Sequence, residues 1–430
     1  MVVRVKSMGT SGVIFEGAIR RKDRQADRGR RVCLPICATA TTPALMPTSI
    51  TSTELDRPPF VSALHASGWQ AVIAVTGGGS LAISDLLSVP GASAFLLEAR
   101  VPYTPAALTE WLGREPEQFC SRETALAMAV VGWQRANKLS TRTAETVGVG
   151  CSAALTSHRP KRGEHRAWIA THTANATRLV GLTLAKGLRE RVQEERLVAD
   201  VFLRLLAETC GIPPLPPIGL VAGDSLTSDV CIAPPMLVDL VAGRRPTVWS
   251  MRSAWQVDPP LKSVGLLSGA FNPLHDGHRE LARVAEQRVG GPLAFELAWV
   301  NVDKPPLDFL TIEARCRQFA DRPVVLTREP TFVLKSRLFP NTTFVVGVDT
   351  AERIVQPRYY GSESAMLAAL AEIRTHGCRF LVAGRSEGDS FRTLSQLNLP
   401  SSARDLFEEI SEREFRRDIS STELRKQNSK

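Results

Sequence analysis

No stretch of this chain approaches the roughly 18 to 20 consecutive apolar residues that a membrane-crossing helix needs, so no membrane partner is expected. Its cysteines, at 33, 37, 120, 151, 210, 231, 316 and 378, form no C-x-x-C pair and no regular spacing. That leaves no disulfide framework and reads as reduced, mostly buried thiols. The opening "MVVRVKSMGTSGVIFEG" lacks the charged-then-apolar segment and small-residue cleavage site of an export signal, and a cytoplasmic location is expected. No internal repeat is visible. What is present is an ordinary globular composition, 43% hydrophobic and 23% charged over 430 residues, long enough for about two or three cores.

The net charge of +9 is concentrated in one place. Residues 4–31 carry nine Lys or Arg against Glu16, Asp23 and Asp27, and the rest of the chain is nearly neutral. Phe15 is the one aromatic residue among those charges, too few to stack on bases, so the arm reads as a solvated tail and no nucleic-acid partner is expected.

Residues 1–57 combine the basic arm with "ATATTPALMPTSITST", which has neither helix nor strand periodicity and predicts disorder. From Phe60 the pattern becomes α/β. "FVSALHASGW" is helical, "QAVIAVTGGGS" is a strand ending in glycines, and "SLAISDLLSV" is helical again. A helix over 121–137, capped by Ser121, precedes the strand "ETVGVGCSAAL"; "HRAWIATHTANATRLVGLTL" reads as a hairpin and 188–209 as an amphipathic helix. These fill a unit at 58–210. Residues 211–261 are rich in proline and weakly periodic, which predicts a linker. In 262–430, apolar runs at 264–268, 294–301, 323–327, 343–348 and 379–383 alternate with helical stretches. The prediction is α/β in two domains, the second a Rossmann-like, doubly wound parallel sheet.

The stretch "GAFNPLHDGH" (269–278) would sit at the mouth of that sheet if 264–268 is its central first strand. Gly269 lets a phosphate approach the backbone, Pro273 stiffens the loop, and a helix beginning near Gly277 aims free N–H groups at an anion. His275 and His278 can add charge-assisted hydrogen bonds to phosphate oxygens. On residue types alone the pair is equally a helix cap or a metal pair.

The pattern G-x-F-N-P-x-H-x-G-H resembles the signature of the nucleotidylyltransferase superfamily, and that resemblance implies a loop holding the triphosphate of ATP, with Gly269, Ala270, Phe271, His275 and His278 around it. "DISSTELRK" (418–426) is similar to the I-S-S-T-x-I-R element of nicotinamide and nicotinate mononucleotide adenylyltransferases, with Leu424 for Ile; it implies that Ser420, Ser421, Thr422 and Arg425 close over ATP. "FVVGVDTAERI" is similar to the family's G-x-D strand end and nominates Gly347 and Asp349 for the nucleotide. "NVDKPPLDFLTIEARCRQF" resembles the segment near the mononucleotide and nominates Lys304 and Arg315, with Asn272 also on the acceptor side. The implied reaction transfers AMP from ATP, with Mg²⁺, to nicotinamide or nicotinate mononucleotide, with His275, His278 and Arg425 as the catalytic set and no resident metal. A cytidylyltransferase-like reaction on another phosphorylated acceptor and a non-catalytic nucleotide sensor are the alternatives.

Residues 60–210 resemble the C-terminal domain of the competence-damage-inducible protein family, whose active members deamidate nicotinamide mononucleotide. The resemblance rests on "AVTGGGSLAISDLLSVPGASAFLLEARVPYT", "SRETALAMA" and "GLRERVQEERLVADVFLRLLAE". Ala74 stands where that family has its serine nucleophile, Ile73 where it has Glu, and Leu108 where a lysine follows Tyr103. An alanine cannot attack an amide, so the amidohydrolase activity is expected to be lost, the domain serving instead in binding, packing or self-association into a homo-oligomer.

Overall fold

The computed structural model describes residues 57–430 apart from 142–144, 159–161, 214–217, 252–253, 258–264, 301–304, 320, 388–389, 418, 420 and 429–430, and leaves aside the side chains of residues 387, 422 and 426–428. Lys304, Ser420 and the basic arm with the rest of residues 1–56 lie outside the described residues.

Two sheets carry the α/β fold. The first has the order β2-β1-β3-β4-β5-β6, from β1 (Trp69–Thr76), β2 (Leu96–Arg100), β3 (Glu145–Ala154), β4 (His165–His172), β5 (Ala176–Leu184) and β6 (Ser225–Ile232). Strand β1 runs parallel to β2 and β3, and the remainder is antiparallel. Helices α1 (Arg57–His65), α2 (Ser80–Ser88), α3 (Ala92–Phe95), α4 (Pro105–Leu112), α5 (Arg122–Leu139) and α6 (Arg191–Thr209) cover it. Ser121 caps α5 by accepting from Thr124 N–H. That helix lies close on β3 because Gly148 and Gly150 face it: a Cβ on Gly148 would come within 2.0 Å of the Ala129 carbonyl oxygen.

The second sheet follows α7 (Pro235–Val241). It contains β7 (Thr247–Met251), β8 (Ala254–Gln256), β9 (Gly265–Ser268), β10 (Leu293–Ala298), β11 (Val324–Thr327), β12 (Thr343–Gly347) and β13 (Arg379–Ala383). A separate hairpin, β14 (Arg385–Glu387) and β15 (Ser390–Arg392), precedes the last strand, β16 (Phe407–Ile410). Read from β11 through β10, β9, β12 and β13 to β16, the six parallel strands have the doubly wound order 3-2-1-4-5-6. Strand β9 is therefore central, and β7 and β8 add an antiparallel edge. Helices α8 (Asp276–Val289), α9 (Phe309–Arg317), α10 (Phe332–Leu338), α11 (Val348–Ile354), α12 (Glu363–Thr375) and α13 (Ser421–Asn428) complete this half.

The proline-rich stretch expected to be a linker carries more structure than its periodicity shows: β6 closes the first sheet, and β7 and β8 extend the second. Both sheets belong to one compact unit. One hydrophobic core runs through both, joining Trp133, Leu126 and Leu179 to Phe309, Leu267 and Phe295. At the seam the His172 ring stacks on Phe309 at 5.1 Å, and Phe309 N–H donates to Thr177 Oγ1 at 3.1 Å. The two halves therefore meet through a shared core.

Candidate functional site

Strand β9 ends at Ser268, and the chain turns into α8 through residues 269–275 at the carboxyl end of the central strand, where the strand order reverses. Gly269 N–H still continues the ladder, donating to the Glu296 carbonyl at 3.1 Å. The room left by its missing side chain is filled by the Phe271 ring, which would lie 2.8 Å from a Cβ there. Phe271 is buried with a left-handed φ of 46°. A phenylalanine holds that strained conformation only where its surroundings over-determine it, and here its ring packs against Phe295, Phe319 and His278.

The loop's outward carbonyls are clamped one after another. Arg315 donates to Ala270 O (3.0 Å), Gln318 to Phe271 O (3.1 Å), Arg425 to Asn272 O (2.6 Å) and Ser421 to Pro273 O (3.0 Å). Gln318 also accepts from Leu274 N–H at 2.7 Å. Two elements far apart in the chain, α9 and α13, thus fix the shape of this loop.

The histidine rings lie 3.8 Å apart at the start of α8, and His275 N–H donates to His278 Nδ1 at 3.3 Å. That bond leaves the proton of the neutral His278 ring on Nε2. Burial, and then neighbouring His275, pushes His278 down to about 3; burial also lowers His275, opposed by Asp276. Both rings are thus neutral near pH 7, and Nδ1 of His275 is buried without a partner.

Beside the loop opens a cleft of about 1330 Å³ lined by both halves of the chain. Ser268, Gly269, Ala270, Asn272, Arg315 and Arg425 form one wall. Arg114, Glu117 and the first turn of α5 contribute from the first half. Deeper in, Lys335 Nζ pairs with Glu296 at 2.7 Å, and Thr327 Oγ1 donates to the same carboxylate at 2.6 Å, with all three residues buried. Arg315 is lowered to about 10, first by burial and further by Arg425 and Arg114, against the opposing pull of Asp308. Burial raises the Asp308 carboxyl, which accepts from Thr311.

The structure brings some of the nominated residues together and not others. Gly269, Ala270, Asn272, Arg315 and Arg425 line the cleft; Phe271, His275 and His278 are not among its lining residues but adjoin the same loop. Ser421 binds the loop, while nothing is described of the Thr422 side chain. Gly347 and Asp349 do not line the cleft, and Asp349 pairs with Arg385 and Arg392. Arg425, expected to face ATP, also holds the Glu117 carboxylate through Nε at 3.0 Å and Nη2 at 2.7 Å. Sequence patterns missed Gln318, Lys335, Glu296, Arg114 and Glu117. A signal existed for Gln318 alone, one helical turn beyond Arg315.

In the first half, Ala74 and Leu108 are packed into one apolar cluster with Leu112 and Met128, each at most 4% exposed. The positions at which the resemblance expects serine and lysine are thus occupied by contacting core side chains. Tyr103 is 66% exposed, beside a 440 Å³ pocket with Ser80 and Glu195. Ser80 Oγ donates to one Glu195 oxygen at 2.8 Å, and the other oxygen is buried without a partner.

No protein-family model matches the chain, and no curated protein matches it. Among solved structures it is similar to the competence/damage-inducible protein CihA from Agrobacterium tumefaciens, at 20% identity over 37% of this chain and 98% of that one, with a TM-score of 0.30. A competence-damaged protein (CinA) superfamily protein from Klebsiella pneumoniae is similar at 15% identity over 36% and 95%, with a TM-score of 0.31. The superfamily protein from Escherichia coli follows at 18% identity over 38% and 92%, with a TM-score of 0.30. These neighbours come from the family that residues 60–210 resemble.

Proposed function

We propose that the chain is a nucleotidylyltransferase that moves AMP from ATP to nicotinamide or nicotinate mononucleotide. One observation carries the reading: the "GAFNPLHDGH" loop lies at the carboxyl end of the central strand, its carbonyls clamped by Arg315, Gln318, Arg425 and Ser421 beside a large cleft. In the reaction a phosphate oxygen of the acceptor bonds to the α-phosphorus of ATP as the bond to the bridging oxygen breaks, and pyrophosphate leaves. The acceptor is already an anion, so positioning and charge stabilisation suffice. The N-terminus of α8, His278 Nε2–H and the guanidiniums of Arg315 and Arg425 are donors of the kind that the charge spreading over the phosphates needs. Mg²⁺ enters with ATP as substrate; among the cleft carboxylates Glu296 is bonded to Lys335 and Thr327, Asp308 to Thr311 and Glu117 to Arg425, while Glu123 also lines the cleft.

The test is incubation of the full chain with ATP, Mg²⁺ and each mononucleotide, with the dinucleotide and pyrophosphate followed by chromatography. Wild type is expected to form both, and His278→Ala to lose at least about a hundredfold in kcat/KM, as removal of a donor to developing charge does. Absence of product with both acceptors refutes the substrate assignment.

A further inference from the structure

The connection that follows α4 carries two side chains across to the second half. Glu117 reaches Arg425, and Arg114, three residues earlier, lines the same cleft. Arg114 is half-buried and makes no hydrogen bond or ion pair among the described residues. Its charge is felt by Arg315, as is that of Arg425, and these last two hold loop carbonyls only two residues apart. Three guanidiniums therefore line one cleft, two of them bonded to carbonyls of residues 270 and 272. The carboxylates of that cleft include Glu117, which is 61% exposed, Asp308, which is buried and bonded to Thr311, and Glu123. Arg315 Nε is buried and without a partner. Arg425 is already paired with Glu117, whereas Arg114 is paired with no carboxylate among the described residues, and a phosphate, with about −1.5 to −2 charges and several acceptor oxygens, matches planar guanidinium forks.

We infer that Arg114, supplied by the deamidase-like half, completes with Arg315 and Arg425 a phosphate-binding subsite in the cleft, so that the nucleotide site is built by both halves of the chain. The inference deepens the proposed transferase reading and rests on it for the identity of the nucleotide, but not for the binding of phosphate. It also gives the first half a function that needs neither a serine at 74 nor a lysine at 108.

The experiment compares wild type with Arg114→Ala and Arg114→Lys in the full chain. Calorimetric titration with inorganic pyrophosphate needs no turnover. The expected result is at least a tenfold weaker Kd in Arg114→Ala, with partial recovery in Arg114→Lys and an unchanged melting temperature, since Arg114 contributes no bond to the fold. Steady-state kinetics then separate the sources: a raised KM for ATP alone places its triphosphate on Arg114, and a raised KM for the mononucleotide alone places the acceptor phosphate there. Pyrophosphate binding that equals wild type in both variants, or is absent from wild type, overturns the inference. Weakened pyrophosphate binding with no dinucleotide formed by wild type upholds the subsite and removes the transferase reading instead.

Discussion

Introducing a serine at position 74 is the most direct way to ask whether that position faces a core or a ligand space. Ala74 is fully buried on β1, paired with Gly150 of β3 and Arg100 of β2, and its methyl group packs with Leu108, Leu112 and Met128. None of the side chains of Leu108, Leu112 and Met128 can bond a hydroxyl placed there. A buried, unsatisfied hydroxyl costs about 1–3 kcal/mol, a sizeable share of a stability of about 5–15 kcal/mol. Ala74→Ser should therefore lower the urea midpoint by the equivalent of that cost. It should release no ammonia from nicotinamide mononucleotide, because Leu108 supplies no lysine to activate the nucleophile. Adding Leu108→Lys should cost considerably more: the leucine's packing is lost and the ammonium would be buried among apolar groups with no carboxylate in the cluster. The assay pairs urea unfolding with ammonia release on the same preparations. An Ala74→Ser protein as stable as wild type, or one that hydrolyses the amide, would show that the side chain reaches a ligand space and not a core, and the argument would fail.

Two further outcomes follow from the geometry. Glu117→Gln should remove a largely exposed carboxylate from Arg425; such a pair is worth about 0.2–1 kcal/mol, so KM for ATP should fall by no more than about fivefold with unchanged thermal stability, and a rise in KM would show that Glu117 does not compete with the nucleotide for Arg425. His172, fully buried between Trp133 and Phe309, is pushed by burial to about 3, below its ordinary value near 6.5. The folded state thus binds fewer protons than the unfolded one in that window. The stability associated with the neutral ring is complete above about pH 6.5 and is lost as pH falls toward 3. His172→Gln should flatten the decline in urea midpoint between pH 6.5 and 4, and an identical pH profile in the variant would show that the ring does not titrate against the fold.

Much of the second half was legible because its strands are short apolar runs bounded by turns: β9 to β13 lie within or beside the runs read from the sequence, with β9 at the centre. Strand β6 escaped because "SLTSDVCI" is mostly exposed or half-exposed and shows no alternation, and β7 and β8 because strands of five and three residues amid prolines carry too few periods to register. The site divides along the same line. The loop and its closing element announce themselves by local residue order, whereas Glu117 matters only through a contact made some 300 positions away in the chain, at Arg425, and Arg114 only through the cleft it shares with that residue. Local pattern cannot report such a partner. The apolar cluster of Ala74, Leu108 and Leu112 lies at the end of α4, immediately before the connection that presents Arg114 and Glu117 to the other sheet. Packed side chains thus anchor that connection's root. On this argument the apolar cluster, rather than any polar group at 74 or 108, holds Arg114 and Glu117 in place at the cleft.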